Sequence, residues 1–136
     1  MADIYSHEKR SAIMSGIRSR DTQPERIVRA ILHRLGLRFR LVVRDLPGRP
    51  DIVFRSRRTV VFVNGCYWHG HDCKKGRSRA HTNAEFWSKK IGDNVSRDRR
   101  NYVLLTSQGW RLVVVWECET KDIEKLRSTL VEELGV

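Results

Sequence analysis

The sequence predicts an α/β fold whose core elements follow the order α-β-β-β-α-β, with an extra helix at each end. Two runs of strand length, residues 60–63 and 112–115, are wholly apolar, which is typical of strands buried on both faces of a sheet. Apolar residues recur at helical spacing in residues 22–35, 83–109 and 120–134. With 136 residues, 40% of them hydrophobic, the chain can form one compact domain around one core.

The N-terminal residues 6–17 are expected to form a short helix, with Ile13, Met14 and Ile17 on one side. The apolar face of this helix is narrow and charged residues flank it, so we expect it to contribute little to the core. Met14 and Ile17 are therefore candidates for contact with a partner.

The next helix is expected to begin at Thr22. Thr22 and Glu25 fit a capping box, in which each side chain accepts a hydrogen bond from the backbone N–H of the other residue. Pro24 falls in the first turn, where its missing N–H costs nothing, and Gly36 is the expected stop. The apolar residues of this helix at helical spacing are Ile27, Val28, Ile31, Leu32 and Leu35.

Three strands are expected next. Residues 39, 41 and 43 are apolar and alternate with Arg38, Arg40 and Val42, which predicts a strand over 39–43 with one wet face, and residues 46–50 are expected to form a turn. Residues 51–54 and 59–63 are two further strands, joined by the basic turn 55–58. Because the second of these strands is apolar almost throughout, we expect it to be central and buried on both faces.

The second half begins with an irregular stretch of 19 residues, 64–82. Such a long loop in a small domain is usually functional. Asn83 is placed to cap a helix that ends near Gly109, and a buried strand (111–116) and a closing amphipathic helix (120–134) complete the chain.

The charge of the chain points to a polyanionic partner. The net charge is +11, with about +13 in residues 1–110 and about −2 in residues 111–136, and most of the basic residues are arginine. Nucleic acid is the commonest such partner, and a basic protein without a specific ligand is the alternative. An anionic membrane is disfavoured because no Lys-rich helix has a large apolar face, and no apolar run approaches the roughly 20 residues needed to span a bilayer.

The cysteines indicate a metal site. Three cysteines cannot pair completely, so no disulfide framework is expected, and reduced thiols suit the cytoplasm. A tetrahedral zinc site needs four thiolate or imidazole ligands and would hold a polar loop in shape. The expected ligands of this structural zinc are Cys66, His71, Cys73 and Cys118. On spacing alone, His69 or His81 could replace His71 as the histidine ligand.

Four residues are candidates for catalysis. Asp51 stands at a strand start, where a carboxylate can bind a hard divalent cation such as Mg²⁺ or simply serve the turn. His69 follows the central strand, on the loop that zinc would brace, and imidazole is the natural base for activating water near neutral pH. Asp98 is a further acid that could instead pair with a neighbouring arginine, and Glu25 already has a role in the capping box.

Two large aromatic residues, Tyr67 and Trp68, lie on a polar loop beside the expected zinc ligand Cys66. They could insert into a base stack as wedge residues do in kinked DNA, with Met14 and Ile17 entering from another side. The alternative is that the two aromatic rings pack locally over the zinc site and contact no DNA. The other three tryptophans are more simply interpreted as core residues: Trp87, Trp110 and Trp116.

These motifs together resemble the very-short-patch repair (Vsr) family of DNA mismatch endonucleases. The resemblance runs from about residue 11 to residue 118. The matching blocks are RDTxxE at 20–25, LPGRPD at 46–51, VFVNGCYWH at 61–69, HxC at 71–73, FWxxKIG at 86–92, NVxRDRR at 94–100, and GWR followed by WEC within 109–118.

The resemblance implies a restriction-endonuclease-like core with a mixed central sheet, flanking helices and a zinc-braced loop. It divides the single domain into a DNA-contacting helix (1–19), a catalytic core (20–118) and a C-terminal helix (119–136). It also implies a nick 5′ to the T of a T:G mismatch, the product of 5-methylcytosine deamination. The implied partners are mismatched double-stranded DNA and mismatch-repair proteins, with a monomer acting at the nucleoid in the bacterial cytosol.

The resemblance also implies residue roles. Asp51 and the carbonyl of Val63 would bind Mg²⁺, and Glu25 would order metal-bound water. His69 would be the general base, with Asp98 as its supporting acid. Zinc would take Cys66, His71, Cys73 and Cys118. Contacts with DNA would come from Tyr67 and Trp68 beside the mismatch, from Met14 and Ile17 in the minor groove, and from Lys90 and Asn94 in the major groove.

The chain departs from the family pattern at two places. Val63-Asn64 stands where the family often has Thr-His, which leaves a carbonyl for the metal but removes a histidine, and Tyr67 replaces a frequent Phe. No Asp/Glu-x-Lys follows the hairpin, so a standard restriction-enzyme active site is incomplete, and a mechanism with His69 as the base makes the interpretation coherent. Two other functions stay open: a restriction-like nuclease of different specificity and a non-catalytic, zinc-braced DNA-binding module.

Overall fold

The structure, a computed structural model, describes residues 22–41, 43–73 and 84–136. Its order of elements confirms the predicted α-β-β-β-α-β core and the closing helix, while the helix expected at 6–17 lies outside the described residues. The elements are α1 (Gln23–Arg34), β1 (Arg40–Leu41), β2 (Ile52–Phe54), β3 (Thr59–Asn64), α2 (Ala84–Ser107), β4 (Arg111–Trp116), a 3-10 helix (Glu117–Lys121) and α3 (Ile123–Leu134).

The four strands form one mixed sheet in the order β1-β2-β3-β4. β1 and β2 are antiparallel, β2 and β3 are antiparallel, and β3 and β4 are parallel, with Val61 opposite Val113. β3 therefore lies inside the sheet, and its Val60 and Val61 are fully buried. The prediction of a central strand buried on both faces is confirmed.

The sheet lies between two layers of helix. Side chains from α1 and α3 pack with Val61 on one face, and side chains from α2 pack with Val60 on the other. Each fully buried aliphatic side chain contributes about 1.5–3 kcal/mol to folding. The two apolar layers thus fix β3, and they hold the ends of β2 and β3 in place relative to α1 and α2.

The start of α1 is formed as the sequence predicts. The side chain of Thr22 accepts a hydrogen bond from the backbone N–H of Glu25 at 3.4 Å, and proline occupies the first turn. After the helix, Gly36 has a φ of +77°, a conformation that suits glycine because it has no Cβ. This start places Glu25 at the end of α1 nearest the beginning of β2.

Both edge strands are less buried than the sequence predicts. Of the described residues in the expected strand 39–43, β1 covers Arg40 and Leu41, and Leu41 is 40% exposed, so the expected alternation is wrong at this residue. In β4 only Val113 and Val115 are buried. A strand at the edge of a sheet has a neighbour on one side only, which leaves its outer side chains less covered.

The closing helix begins later than expected. The sequence predicts a helix over 120–134, whereas the chain forms the 3-10 helix first and α3 begins at Ile123. The carboxylate of Asp122 accepts a hydrogen bond from the backbone N–H of Lys125, which makes Asp122 the cap. No helix in the described part of the chain has the length and apolar character of a membrane span.

Candidate active site

A cleft of about 920 Å³ opens where β2 begins and β3 ends. Because these strands are antiparallel, both positions lie at the same end of the sheet, beside the start of α1 and the middle of α2. Most of the residues selected from the sequence meet here. The predicted site residues that line the cleft are Glu25, Asp51, Val63, Tyr67, Trp68, His69, Asn94 and Asp98.

One predicted DNA contact among the described residues is not part of this lining. Lys90 lies on α2, one helical turn before Asn94, and is half-buried, but it does not line the cleft. Met14 and Ile17 lie outside the described residues.

Asp51 is fixed against the end of β3. Its Oδ2 accepts a hydrogen bond from the backbone N–H of Val63 at 2.7 Å, and its own N–H donates to the carbonyl of Val61 at 3.1 Å. The carboxylate and the residue whose carbonyl was predicted to bind Mg²⁺ are thus direct neighbours. Carboxylate and backbone carbonyl oxygens are the donors that a hard cation prefers, so these residues fit Mg²⁺.

His69 and Asp98 form a pair in the wall of the cleft. The distance from His69 Nδ1 to Asp98 Oδ2 is 2.5 Å, and both side chains are largely covered, with 26% and 18% exposed. Within the described part of the chain, Asp98 pairs with His69 and with none of the arginines that flank it. The contact at Nδ1 leaves Nε2 as the nitrogen for a second partner.

Asn64 and Tyr102 form a pair that the sequence analysis did not find. Asn64 lines the cleft although it is only 4% exposed, and its Nδ2 donates to the Tyr102 hydroxyl at 2.9 Å. The pKa of Tyr102 is raised to about 12, mainly by burial and also by the nearby Asp98 and Asp51 carboxylates, whereas the hydrogen bond from Asn64 opposes the shift. The available signal was the spacing 94, 98, 102, which places these residues on one face of α2.

The aromatic residues form a continuous row at the rim of the cleft. Ring centroids lie 5.0 Å apart for Tyr67 and Trp68, 5.6 Å for Trp68 and Trp87, and 5.1 Å for Trp87 and Phe86. Phe86 is 57% exposed. The core interpretation of Trp87 is therefore wrong: α2 begins beside the loop, so Trp87 is only half-buried, against Trp68.

The other two tryptophans differ from each other. Trp110 is buried among the side chains that pack with Val60 on the α2 face of the sheet, so its interpretation as a core residue is confirmed. Trp116 is half-buried at the end of β4, where its ring stacks on His71 at 4.2 Å and 12° and lies 6.5 Å from the ring of His69. It therefore lies between the cysteine-histidine cluster and the cleft rather than in the core.

Asn94 joins the aromatic loop to α2. Its Nδ2 donates to the carbonyl of Trp68 at 2.9 Å, and its Oδ1 accepts from Arg97 at 2.9 Å. The residue is 4% exposed. Both ends of the amide are thus occupied within the protein, and they fix the position of Trp68.

The cysteine and histidine residues predicted as zinc ligands come together. Their ligand atoms all lie within 4.8 Å of one another, and Cys118 Sγ is 3.6 Å from His71 Nδ1. Three thiol sulfurs and one imidazole nitrogen form a set of donors that fits tetrahedral zinc. Burial raises the pKa of the Cys66 thiol to about 12, and a bound cation would oppose this. The alternative ligand His69 is paired with Asp98, and His81 lies outside the described residues.

Glu117 connects this cluster to the cleft and was not selected from the sequence. Its carboxylate accepts a hydrogen bond from the backbone N–H of Cys66 at 3.3 Å, and its side chain also lines the cleft. The N–H of Cys118 donates to Cys66 Sγ at 3.3 Å. The signal for Glu117 was its position directly before Cys118, at the end of β4.

Comparisons with known proteins agree on one class. The family model described as DNA mismatch endonuclease Vsr matches residues 2–75. The type II nicking enzyme V.XorIIP of Xanthomonas oryzae pv. oryzae is 48% identical over 130 residues, which cover 96% of this chain and 95% of that protein. The DNA mismatch endonuclease Vsr of Escherichia coli is 44% identical over 133 residues, which cover 98% and 85%. V.NmeAIP of Neisseria meningitidis, another type II nicking enzyme, is 43% identical over 130 residues, which cover 96% and 92%.

The class defined by this fold and these relatives is that of DNA endonucleases, with a restriction-endonuclease-like fold. Within this class, the chain belongs to the Vsr family of DNA mismatch endonucleases. DNA is therefore its partner.

Proposed function

We propose that the protein is a Mg²⁺-dependent endonuclease that nicks one DNA strand 5′ to the T of a T:G mismatch. Such a nick starts very-short-patch repair of deaminated 5-methylcytosine. The observation that carries the proposal is the meeting of Asp51, the His69–Asp98 pair and the aromatic row at one cleft. The names of two relatives add support, because one is called a mismatch endonuclease and another a nicking enzyme.

His69 is the proposed general base. In the proposed tautomer Nδ1 donates its hydrogen to Asp98, so Nε2 can accept a proton from the attacking water. The water oxygen forms a bond to phosphorus, and the P–O bond to the leaving sugar oxygen breaks. That oxygen keeps the electron pair of the bond and takes a proton from solvent, while the Asp98 carboxylate stabilises the imidazolium formed at His69. The same contact holds the ring in one orientation throughout.

Asp51 and the Val63 carbonyl are the proposed Mg²⁺ ligands, with Glu25 ordering water beside them. When bound, Mg²⁺ would neutralise phosphate charge and favour the ionisation of water. The hydrogen bond from the Val63 N–H fixes the carboxylate before DNA arrives. Glu25 is held at the cleft by the cap of α1, within the same lining.

Zinc is the proposed occupant of the cysteine-histidine cluster, and its role is structural. Four protein ligands fill a tetrahedral shell, so no position remains for water or substrate. The ligands join the loop after β3 to the end of β4. The loop that carries Tyr67, Trp68 and His69 is therefore braced at both sides.

The aromatic row is the proposed wedge. Tyr67 and Trp68 would unstack the DNA beside the mismatch, supported by Trp87 and Phe86. Unstacking a base costs a few kcal/mol and costs less at a mismatch, which favours the T:G substrate over a matched duplex. Met14 and Ile17 are proposed to enter from the minor groove.

Lys90 and Asn94 are proposed to face the bases in the major groove. The amide of Asn94 binds Trp68 and Arg97 in the described protein, so a base contact requires that DNA replace at least one of these partners. We propose a monomer that acts on double-stranded DNA, with mismatch-repair proteins, at the nucleoid of the bacterial cytosol. The net charge of +11 and the reduced cysteines support this setting.

The test is to map the nick. End-labelled duplexes that differ only by T:G in place of C:G are incubated with Mg²⁺ or with EDTA, and each strand is labelled in turn. We expect one Mg²⁺-dependent nick, on the T strand and 5′ to the T. Equal cutting of the matched duplex would indicate a restriction-like nuclease, and binding without any cut would indicate a DNA-binding module.

A further inference from the structure

Asn64 has an amide oxygen with no hydrogen-bond partner among the described residues. Its Nδ2 is engaged by Tyr102, whereas no contact occupies Oδ1. In the described chain, no fully buried side-chain nitrogen or oxygen lacks a partner, so this oxygen must reach open space. Since Asn64 is 4% exposed and lines the cleft, that space is the cleft.

Tyr102 binds the nitrogen end of the Asn64 amide, which leaves the oxygen end toward the cleft. Its ring packs on Phe62 at 5.1 Å, and within the described residues its hydroxyl is bound by Asn64 alone. With the amide nitrogen held by this hydroxyl, the oxygen must point away from it. Asn64 lines the same cleft as Asp51 and Val63, and the Asp51 carboxylate lies near enough to Tyr102 to raise the pKa of that hydroxyl, so the oxygen of Asn64 opens into the space that holds both proposed Mg²⁺ ligands.

We propose that Asn64 is a positioning residue of the magnesium site, with Tyr102 fixing its orientation. Oδ1 of Asn64 accepts a hydrogen bond from a water of the hydrated cation that Asp51 and the Val63 carbonyl bind. The inference rests on the proposed function, because it needs that cation. Mg²⁺ keeps several waters when protein groups bind it, and these waters need acceptors. Loss of such an outer partner typically lowers metal affinity by about 10–100-fold.

The test is a titration of the zinc-loaded protein with Mn²⁺, without DNA, in which the electron paramagnetic resonance signal reports free Mn²⁺. Mn²⁺ prefers the same oxygen donors as Mg²⁺. We expect Asn64→Ala to weaken Mn²⁺ binding about 10-fold and Tyr102→Phe to weaken it less. Asn64→Asp should restore the affinity, since it keeps an oxygen toward the cleft.

The matched control is Asn101→Ala. Asn101 is an asparagine of the same cleft, on α2, and we expect its variant to bind Mn²⁺ like the wild type. Wild-type affinity in both Asn64→Ala and Tyr102→Phe would overturn the inference. If Asn64→Ala does not fold, Tyr102→Phe carries the test, because it removes one oxygen and leaves the ring against Phe62.

Asp51→Ala separates the two proposals. If Asp51→Ala abolishes Mn²⁺ binding and the variants at Asn64 and Tyr102 do not change it, the inference fails and the magnesium site stands. If Asp51→Ala binds like the wild type, the proposed magnesium site is wrong and the inference falls with it.

Discussion

The ring of His69 has two nitrogens, and a single contact assigns them different tasks. Because Asp98 occupies Nδ1 at 2.5 Å, the other nitrogen, Nε2, is left for a second partner. A carboxylate that supports a histidine in this way keeps the ring in the tautomer that can accept a proton. At the residue scale, this pair is the centre of the proposed chemistry.

The first prediction concerns His69→Ala. Removing a general base typically slows a reaction by about 10²–10⁴-fold, so we expect a single-turnover nicking rate lower by that factor. Affinity for the T:G duplex should stay within a few-fold of the wild type, because the aromatic row and the basic surface remain. Asp98→Asn is the companion variant and should lower the rate less. A wild-type rate in His69→Ala would refute the assignment of the base.

The second prediction concerns Tyr102 and alkaline pH. Its pKa is raised from 10.0 to about 12 in the folded protein, so the folded state holds this proton more tightly than the unfolded state does. The resulting stability is present below pH 10 and is lost as the pH rises toward 12. We expect urea unfolding to show a steeper loss between pH 10 and 12 in the wild type than in Tyr102→Phe. Parallel losses in both proteins would contradict the shift.

Residues within short motifs could be predicted, whereas pairs between distant segments could not. Asp51 was evident because it follows a turn and precedes an apolar strand, and His69 because it lies beside cysteines. The pair of Asn64 and Tyr102 joins residues 38 positions apart. Sequence spacing carries no information on such a contact until the packing of α2 on the sheet is known.

At the scale of elements, the segment from Asn64 to Cys73 links two sites. It carries the aromatic pair and His69 between residues of the metal cluster, and Glu117 binds its backbone at Cys66. The loop has few side chains to bury, so its shape depends on the cluster and on the amide of Asn94.

The third prediction is that His71→Ala loses zinc. We expect the purified wild type to contain about one zinc per chain by atomic emission, and the variant to contain much less, because three donors bind zinc more weakly than four. Nicking should fall by about 10-fold or more, since the loop that positions His69 loses its brace. The matched control is His33→Ala, an exposed histidine of α1, which should keep its zinc. Equal zinc content in all three proteins would contradict the proposed site.

The fourth prediction concerns the aromatic row. We expect Trp68→Ala to lower the preference for T:G over C:G duplex by about 10-fold, because base–aromatic stacking contributes about 1–3 kcal/mol per base. Trp68→Phe keeps a stacking face and should retain most of the preference. Competition binding with the two duplexes measures the ratio. An unchanged ratio in Trp68→Ala would exclude Trp68 as the wedge.

Elements with local signals were predicted well, and elements decided by neighbours were not. The start of α1 was evident from Thr22, Pro24 and Glu25, and β3 from its apolar run. The extent of β1 depends on its pairing with β2, and the burial of Trp87 depends on how α2 lies against the loop. Neither relation is encoded in the periodicity of a single segment.

At the scale of the whole molecule, net charge differs between the part of the chain that carries most of the cleft and the C-terminal part. Most of the positive charge lies in residues 1–110, which include nearly all of the cleft lining, whereas residues 111–136 have a net negative charge. Of the described cleft lining, no residue belongs to α3. The net positive charge of residues 1–110 favours binding to the DNA backbone regardless of sequence, so under the proposed function selectivity must come from the mismatch itself.

The measurement that tests the central claim most directly is a competition within one reaction. Two duplexes that differ only by T:G in place of C:G carry different labels and are incubated together with the protein and Mg²⁺ under single-turnover conditions. We expect the T strand of the mismatched duplex to be nicked at least about 100-fold faster than the matched strand, if unstacking costs differ by a few kcal/mol. Equal rates for the two duplexes would contradict the account.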